Sequence, residues 1–176
     1  MQNTLRDAPE AEDRSFADTE PAQVPIDAWT WAALAHASVL LTLVLGMAGG
    51  IGALIGPVIP LAMYFGYRGK SRFAALHALQ SFVYQAVGIV IYVLLIAAAA
   101  ALVSVAWMVS GLLSAVLVGF LLMPIALLLT LLVAFPLICI PFVWLGYGLY
   151  AAYRVYQGRD FRYWLIGEWL EREVTS

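Results

Sequence analysis

The chain has 176 residues, of which 64% are hydrophobic and 11% charged, with a formal net charge of −2. A soluble domain of this size carries about 25% charged residues, so there is too little polar surface here to face water. The charge balance also excludes the basic face that a nucleic-acid binder needs, and no nucleic-acid partner is expected.

Taken from the N-terminus, residues 1–27 read as a disordered, acidic cytoplasmic tail. Asp7, Glu10, Glu12, Asp13, Asp18, Glu20 and Asp27 outnumber Arg6 and Arg14, and Pro9, Pro21 and Pro25 interrupt the segment. It is the reverse of a signal peptide, which opens with positive charge followed by an apolar stretch.

Residues 28–156 form the predicted transmembrane domain. No Asp, Glu, Lys or Arg lies between Asp27 and Arg68, and none between Arg72 and Arg154. One crossing takes roughly 20 apolar residues, so each block holds more than one. Backbone groups in lipid must bond within their own segment, which makes such runs helical. The alternation of a β-barrel is missing. In the first block, Gly46, Gly49, Gly50 and Gly52, followed by Pro57 and Pro60, mark a turn. Spans are therefore placed at about residues 29–46 and 52–67.

The basic loop of Arg68, Lys70 and Arg72 then faces the cytoplasm by the positive-inside rule. The second block has room for two or three crossings. Two crossings bring Arg154, Arg159 and Arg162 to the same side as the loop, which gives spans at about 73–103 and 110–153. Both termini are then cytoplasmic, in a multi-pass protein of the cell inner membrane. Trp29, Trp31, Tyr64, Tyr67, Tyr150, Tyr153 and Tyr156 gather at the same interface, where such rings concentrate. The block from 110 to 153 is too long for one crossing, and Pro124, Pro136 and Pro141 offer breaks. A bent or re-entrant extra segment is expected there, with a fifth span as the alternative. Residues 157–176 read as a C-terminal interfacial segment, with Tyr163, Ile166 and Leu170 opposite Glu168, Glu171 and Arg172 on a helical wheel. The expected fold class is an all-α integral membrane protein, a four-helix transmembrane bundle built of two helical hairpins.

Three stretches carry a family resemblance. They are Trp31 to Ser38 (WAALAHAS), Gly56-Pro57 with the basic loop and His77 to Gln85 (HALQSFVYQ), and Ala151 to Gly158 (AAYRVYQG) running on to Arg162-Tyr163 and Leu165-Ile166-Gly167. Together they resemble an uncharacterised family of small bacterial membrane proteins related to the twenty-kilodalton subunit of the chloroplast inner-envelope protein translocon. The resemblance covers about residues 28–170 and implies a four-helix membrane domain. Trp164 departs from it, standing where the family tends to have proline.

Ionisable groups inside a membrane are functional candidates by default. His36 and His77 are the two such groups within the spans besides tyrosines and Cys139, and no Asp, Glu, Lys or Arg lies deep. Helical rise places both imidazoles about 7 to 11 Å below the cytoplasmic face, where spans one and three let them meet. They are weak metal candidates, as a bis-histidine haem site. Other readings are a proton-sensitive contact or plain interhelical hydrogen bonding. His77, Gln80, Ser81 and Tyr84 recur at helical spacing, with Gln85 at the edge, so with His36 they form an intramembrane polar stripe facing other helices. Arg68, Lys70, Arg72, Arg154, Arg159 and Arg162 read as lipid or topology anchors. The lone Cys139 reads as a small core residue.

Paired carboxylates, phosphate-binding glycine loops and zinc-protease or hydrolase motifs are missing from the sequence. The expectation is a non-enzymatic protein without a cofactor, an accessory, assembly or stabilising partner of a larger membrane complex. Its expected partners are the lipid bilayer and other membrane proteins or further copies of itself. A small channel or translocation component is the alternative, and a haem carrier a weaker one.

Overall fold

The computed structural model describes residues 24–164, and every regular element among them is helical. Four stretches are long and apolar enough to cross a membrane: Ile26–Ala48, Gly50–Tyr67, Arg72–Val116 and Val118–Tyr156. The acidic tail up to residue 23 lies outside the described residues, as do Ile166, Glu168, Leu170, Glu171 and Arg172.

The first span is two helices in line, α1 (Ile26–Ala37) and α2 (Val39–Ala48). Ser38 between them keeps nearly helical dihedrals and turns its hydroxyl back to donate to the Ala35 carbonyl at 2.7 Å. The buried face of α1 is made of Ala28, Ala32, Ala33 and Ala35. Side chains this small let helix backbones approach closely, which is how membrane helices gain packing energy when lipid offers no hydrophobic drive.

The chain reverses through a 3-10 turn, Gly50–Leu54, into α3 (Val58–Tyr67). Pro60 sits in the first turn of α3, where its missing N–H would have had no partner within the helix. Gly56 fixes the approach of this turn to α2. A Cβ there would lie 2.6 Å from the Cα of Thr42, closer than side chains can pack.

After the basic loop, the Ser71 hydroxyl accepts from the Ala74 N–H at 3.3 Å and caps α4 (Arg72–Leu113). A tight turn, Ser114–Val116, leads into α5 (Val118–Tyr156). The break expected around Pro124, Pro136 and Pro141 does not become a separate re-entrant element, because α5 continues through all three. A proline leaves the carbonyl four residues earlier without its helical donor. For Pro141 that carbonyl belongs to Leu137, and the Tyr92 hydroxyl of α4 donates to it at 3.0 Å. A neighbouring helix thus re-satisfies the freed group, which is how membrane helices tolerate proline.

The surplus length goes into the hairpin itself. α4 has 42 residues and α5 has 39, which makes each about 60 Å long against a hydrocarbon core of about 30 Å. In α4 the buried residues run from Ala74 to Gln85 and then stop until Ser110. Only the first part of the hairpin is covered by α1 to α3.

Trp29 packs on Phe73 with ring centroids 4.3 Å apart, and Trp31 on Tyr67 at 5.5 Å. The start of α1, the end of α3 and the start of α4 therefore share one end of the bundle. The chain following α5 returns to that end as well, so both basic clusters lie together, as an even number of crossings requires. Gly56→Ala is expected to lower stability by about 1–3 kcal/mol, the usual cost of overpacking. Unfolding in mixed detergent micelles measures it, and an unchanged midpoint would contradict the close approach of α3 to α2.

Candidate functional site

The expected polar stripe is where the bundle is most tightly closed. His36, His77, Gln80, Ser81 and Gln85 are buried, and Tyr84 is half-buried. The stripe resolves into two hydrogen-bonded groups. The deeper one centres on Gln85, whose Nε2 donates to Ser38 Oγ at 2.8 Å and to Ser81 Oγ at 3.0 Å. Its Oε1 accepts from Thr42 Oγ1 at 2.6 Å, and Ser81 Oγ donates to the Ala35 carbonyl at 2.6 Å. This group ties α4 to α1 and α2. Tyr84 reaches the other way and donates to the Trp144 carbonyl of α5 at 2.6 Å.

The shallower group is a single file of side chains. His36 Nδ1 meets the Tyr163 hydroxyl at 3.0 Å, and His36 Nε2 meets His77 Nδ1 at 3.0 Å. His77 Nε2 lies 3.2 Å from Asp160 Oδ1, and Arg162 Nε donates to Asp160 Oδ2 at 3.2 Å. The protons follow from the partners. Facing a carboxylate, His77 Nε2 must carry hydrogen, so in a neutral ring Nδ1 accepts. His36 Nε2 is then the donor to His77, its Nδ1 accepts, and the Tyr163 hydroxyl donates. Every bond in the file points toward Asp160.

The two histidines thus meet as the sequence places them, but their far partners lie where the sequence suggests a segment on the headgroups. Gly158 makes this possible. With φ at +73° it ends α5 in the left-handed conformation glycine adopts freely, and Arg159 N donates back to the Arg154 carbonyl at 3.1 Å. The chain then runs without regular secondary structure through residues 159–163. Phe161 and Tyr163 point inward while Arg162 and Trp164 point out, a period of two that a helical wheel misses. Tyr163 is 2% exposed and stacks on Tyr84 with centroids 4.2 Å apart. The sequence reading missed Asp160 and Tyr163 as site residues, and Ser38 and Thr42 with them. The alternation from Phe161 to Trp164, shortly after a glycine, is the signal that could have found Tyr163.

Electrostatics follow the same lines. The hydrogen bond from His77 is the main influence that holds the Asp160 carboxyl below the ordinary carboxylate range, with Arg162 adding to it and partial burial opposing it. Burial pushes the Tyr163 phenol well up, so it stays a donor. All four imidazole nitrogens already have protein partners, which leaves no lone pair for a haem iron. Among the described residues, no group of three His, Cys, Asp or Glu side chains is arranged to hold a metal ion.

The remaining candidates sit elsewhere. Gln80 is buried, and among the described residues its Oε1 has no hydrogen-bond partner. Arg68, Lys70, Arg72, Arg159 and Arg162 are exposed at this end, and Arg154 is half-buried, donating to the Tyr150 hydroxyl at 3.1 Å. Cys139 is half-buried in α5.

Comparison with protein-family models gives a match over residues 27–170 to the family described as the magnetosome magnetite crystal formation protein family, MamF/MmsF. Comparison with curated proteins and with solved structures gives no match. The expectation of a small bacterial membrane-protein family is met. The match shows no link to the translocon subunit.

Because its folded pKa lies below the ordinary value, Asp160 stabilises the fold above the ordinary carboxylate pKa, and this contribution is lost as pH falls through the lowered value. Carbon-13 NMR of the Asp160 carboxyl is expected to show that lowered titration, moving back up in His77→Ala. An Asp160 titration indifferent to His77 would contradict the contact.

Proposed function

This chain belongs to the magnetosome magnetite crystal formation protein family, and from that premise we propose that it is a non-enzymatic accessory protein of a membrane in which magnetite crystals form. In this reading it assembles or stabilises a larger membrane complex by offering the distal part of the α4–α5 hairpin to neighbouring proteins.

One observation carries the reading. Beyond Gln85 the hairpin holds itself together through a few contacts of its own, such as Trp107 Nε1 donating to Thr130 Oγ1 at 3.0 Å. Large side chains point outward all around it, among them Leu112, Leu121, Leu128, Leu132 and Phe135. Helices of about 60 Å cannot fit upright in about 30 Å of hydrocarbon. Bringing them within it would take a tilt of about 60°, beyond the range of about 0–40° that membrane helices adopt. An apolar surface of this extent outside the lipid is stable only against other proteins.

The conduit reading gains less support. The polar groups bond to one another rather than lining a path. Next to Thr42 lies a cleft of about 640 Å³ walled by residues such as Leu43, Met47, Ile89, Ile138 and Phe142. An ion entering it would lose its hydration with nothing to replace it.

A photo-crosslinking amino acid at Leu128 or Phe135, with Phe65 on α3 as the control, tests the reading. Discrete protein adducts from the hairpin positions alone are expected after gentle solubilisation. Lipid adducts only, with a monomer as the sole species, would overturn it.

A further inference from the structure

We propose that the cleft beside Thr42 is a lipid site, filled by the end of one phospholipid acyl chain from the leaflet opposite the basic end of the bundle. The inference concerns a different part of the surface from the distal hairpin and does not rest on the accessory role.

The cleft lies where three helices stop packing on one another. On α2 the buried residues are Val39 and Thr42, and the next place on that face falls to Gly46. On α4 Ser81 and Gln85 are buried, and the same face continues with Gly88 and Tyr92. At the level of Thr42 and Gln85 a hydrogen bond closes α2 on α4. Beyond it, two glycines stand where side chains would have to meet. The faces of α2, α4 and α5 then enclose a space of about 640 Å³.

The chemistry of the walls selects the occupant. Their nitrogen- and oxygen-bearing side chains are Thr42, Tyr92 and Trp144. The Thr42 hydroxyl is bonded to Gln85, and the Tyr92 hydroxyl to the Leu137 carbonyl. The Trp144 N–H has no partner among the described residues, but it is buried against Gly88 and does not open to the cleft. A bound water needs about two to four polar partners, so water does not fill the space. Left empty, the walls would lose their dispersion contacts. A flexible hydrocarbon chain meets both conditions. A quinone or a sterol would find no partner for its oxygen.

Depth names the source. Trp29 and Phe73 mark the basic end. Along α4 the cleft runs from Gly88 to Ile96, about 22 to 35 Å from Phe73. That is the far half of a hydrocarbon layer about 30 Å thick. A seam of two helical turns, about 12 Å, is short for a second transmembrane helix and sufficient for the end of an acyl chain.

The test uses the full chain, gently solubilised and washed in detergent until loosely held lipid is gone. Native mass spectrometry is expected to show one phospholipid per chain. A photo-crosslinking amino acid at Ile89, on the cleft wall, should form an adduct with its acyl chain, and the same probe at Phe65, exposed on α3, should form none. Met47→Trp with Ile138→Trp narrows the cleft from α2 and α5, at positions exposed enough to admit a larger ring. Displacing two methylenes should lower lipid retention by about tenfold or more, with helical circular dichroism unchanged. Phe65→Trp should leave retention as it was. The Ile89 probe replaces a single wall residue, so it decides the question even where the paired variant fails to fold. A chain free of lipid, equal retention in the paired variant, a protein adduct at Ile89, or a bound quinone or isoprenoid in place of phospholipid would each overturn the proposal.

Discussion

A buried imidazole in a membrane protein must have both its nitrogens bonded, and here the bundle's basic end is arranged around meeting that requirement twice. His36 and His77 satisfy one nitrogen each by facing one another. Each then needs one partner more, and α1 to α5 supply none. The chain provides it by ending α5 at Gly158 and folding residues 159–163 back over the bundle. The position of Asp160 and Tyr163 follows from that need, as does the partial burial of Phe161 between them. Where an unpaired polar group in hydrocarbon costs several kcal/mol, the strap belongs to the core of the fold as much as the helices do.

Much of this was legible in the residues. Charge-free blocks and the glycine cluster yield four apolar helical stretches, the number the structure has, because hydrocarbon thickness and backbone hydrogen bonding leave few other solutions; the third, expected to stop near residue 103, runs on to Leu113. The stripe from His77 to Gln85 is legible for the same reason, since polar side chains at helical spacing in an apolar run have to face protein. The partners of that stripe are less so. Thr42 and Ser38 are single small hydroxyls in an apolar segment, and such residues satisfy their own helix backbone as readily as a neighbour. Asp160 and Tyr163 lie among charges and aromatics that composition assigns to the headgroups. Only the tertiary contact to two histidines draws them inward.

The prolines of α5 show the opposite limit. Read along one strand of sequence, Pro141 is a breaker. In the bundle its freed carbonyl is met by Tyr92, a residue 49 positions earlier in the chain, and the helix persists. Local propensity was correct about the cost and silent about the compensation. The same long-range pairing produces the overlong hairpin, whose distal faces have no counterpart among the described residues and carry many exposed apolar side chains.

The claim on which the rest depends is that His36 and Tyr163 are energetically coupled across the end of the bundle. A double-mutant cycle with His36→Gln and Tyr163→Phe, read as unfolding free energy in bicelles, measures it most directly. The account predicts a coupling of about 0.5–1.5 kcal/mol, the scale of an interhelical hydrogen bond in a membrane protein. Additive effects, agreeing within about 0.3 kcal/mol, would contradict it.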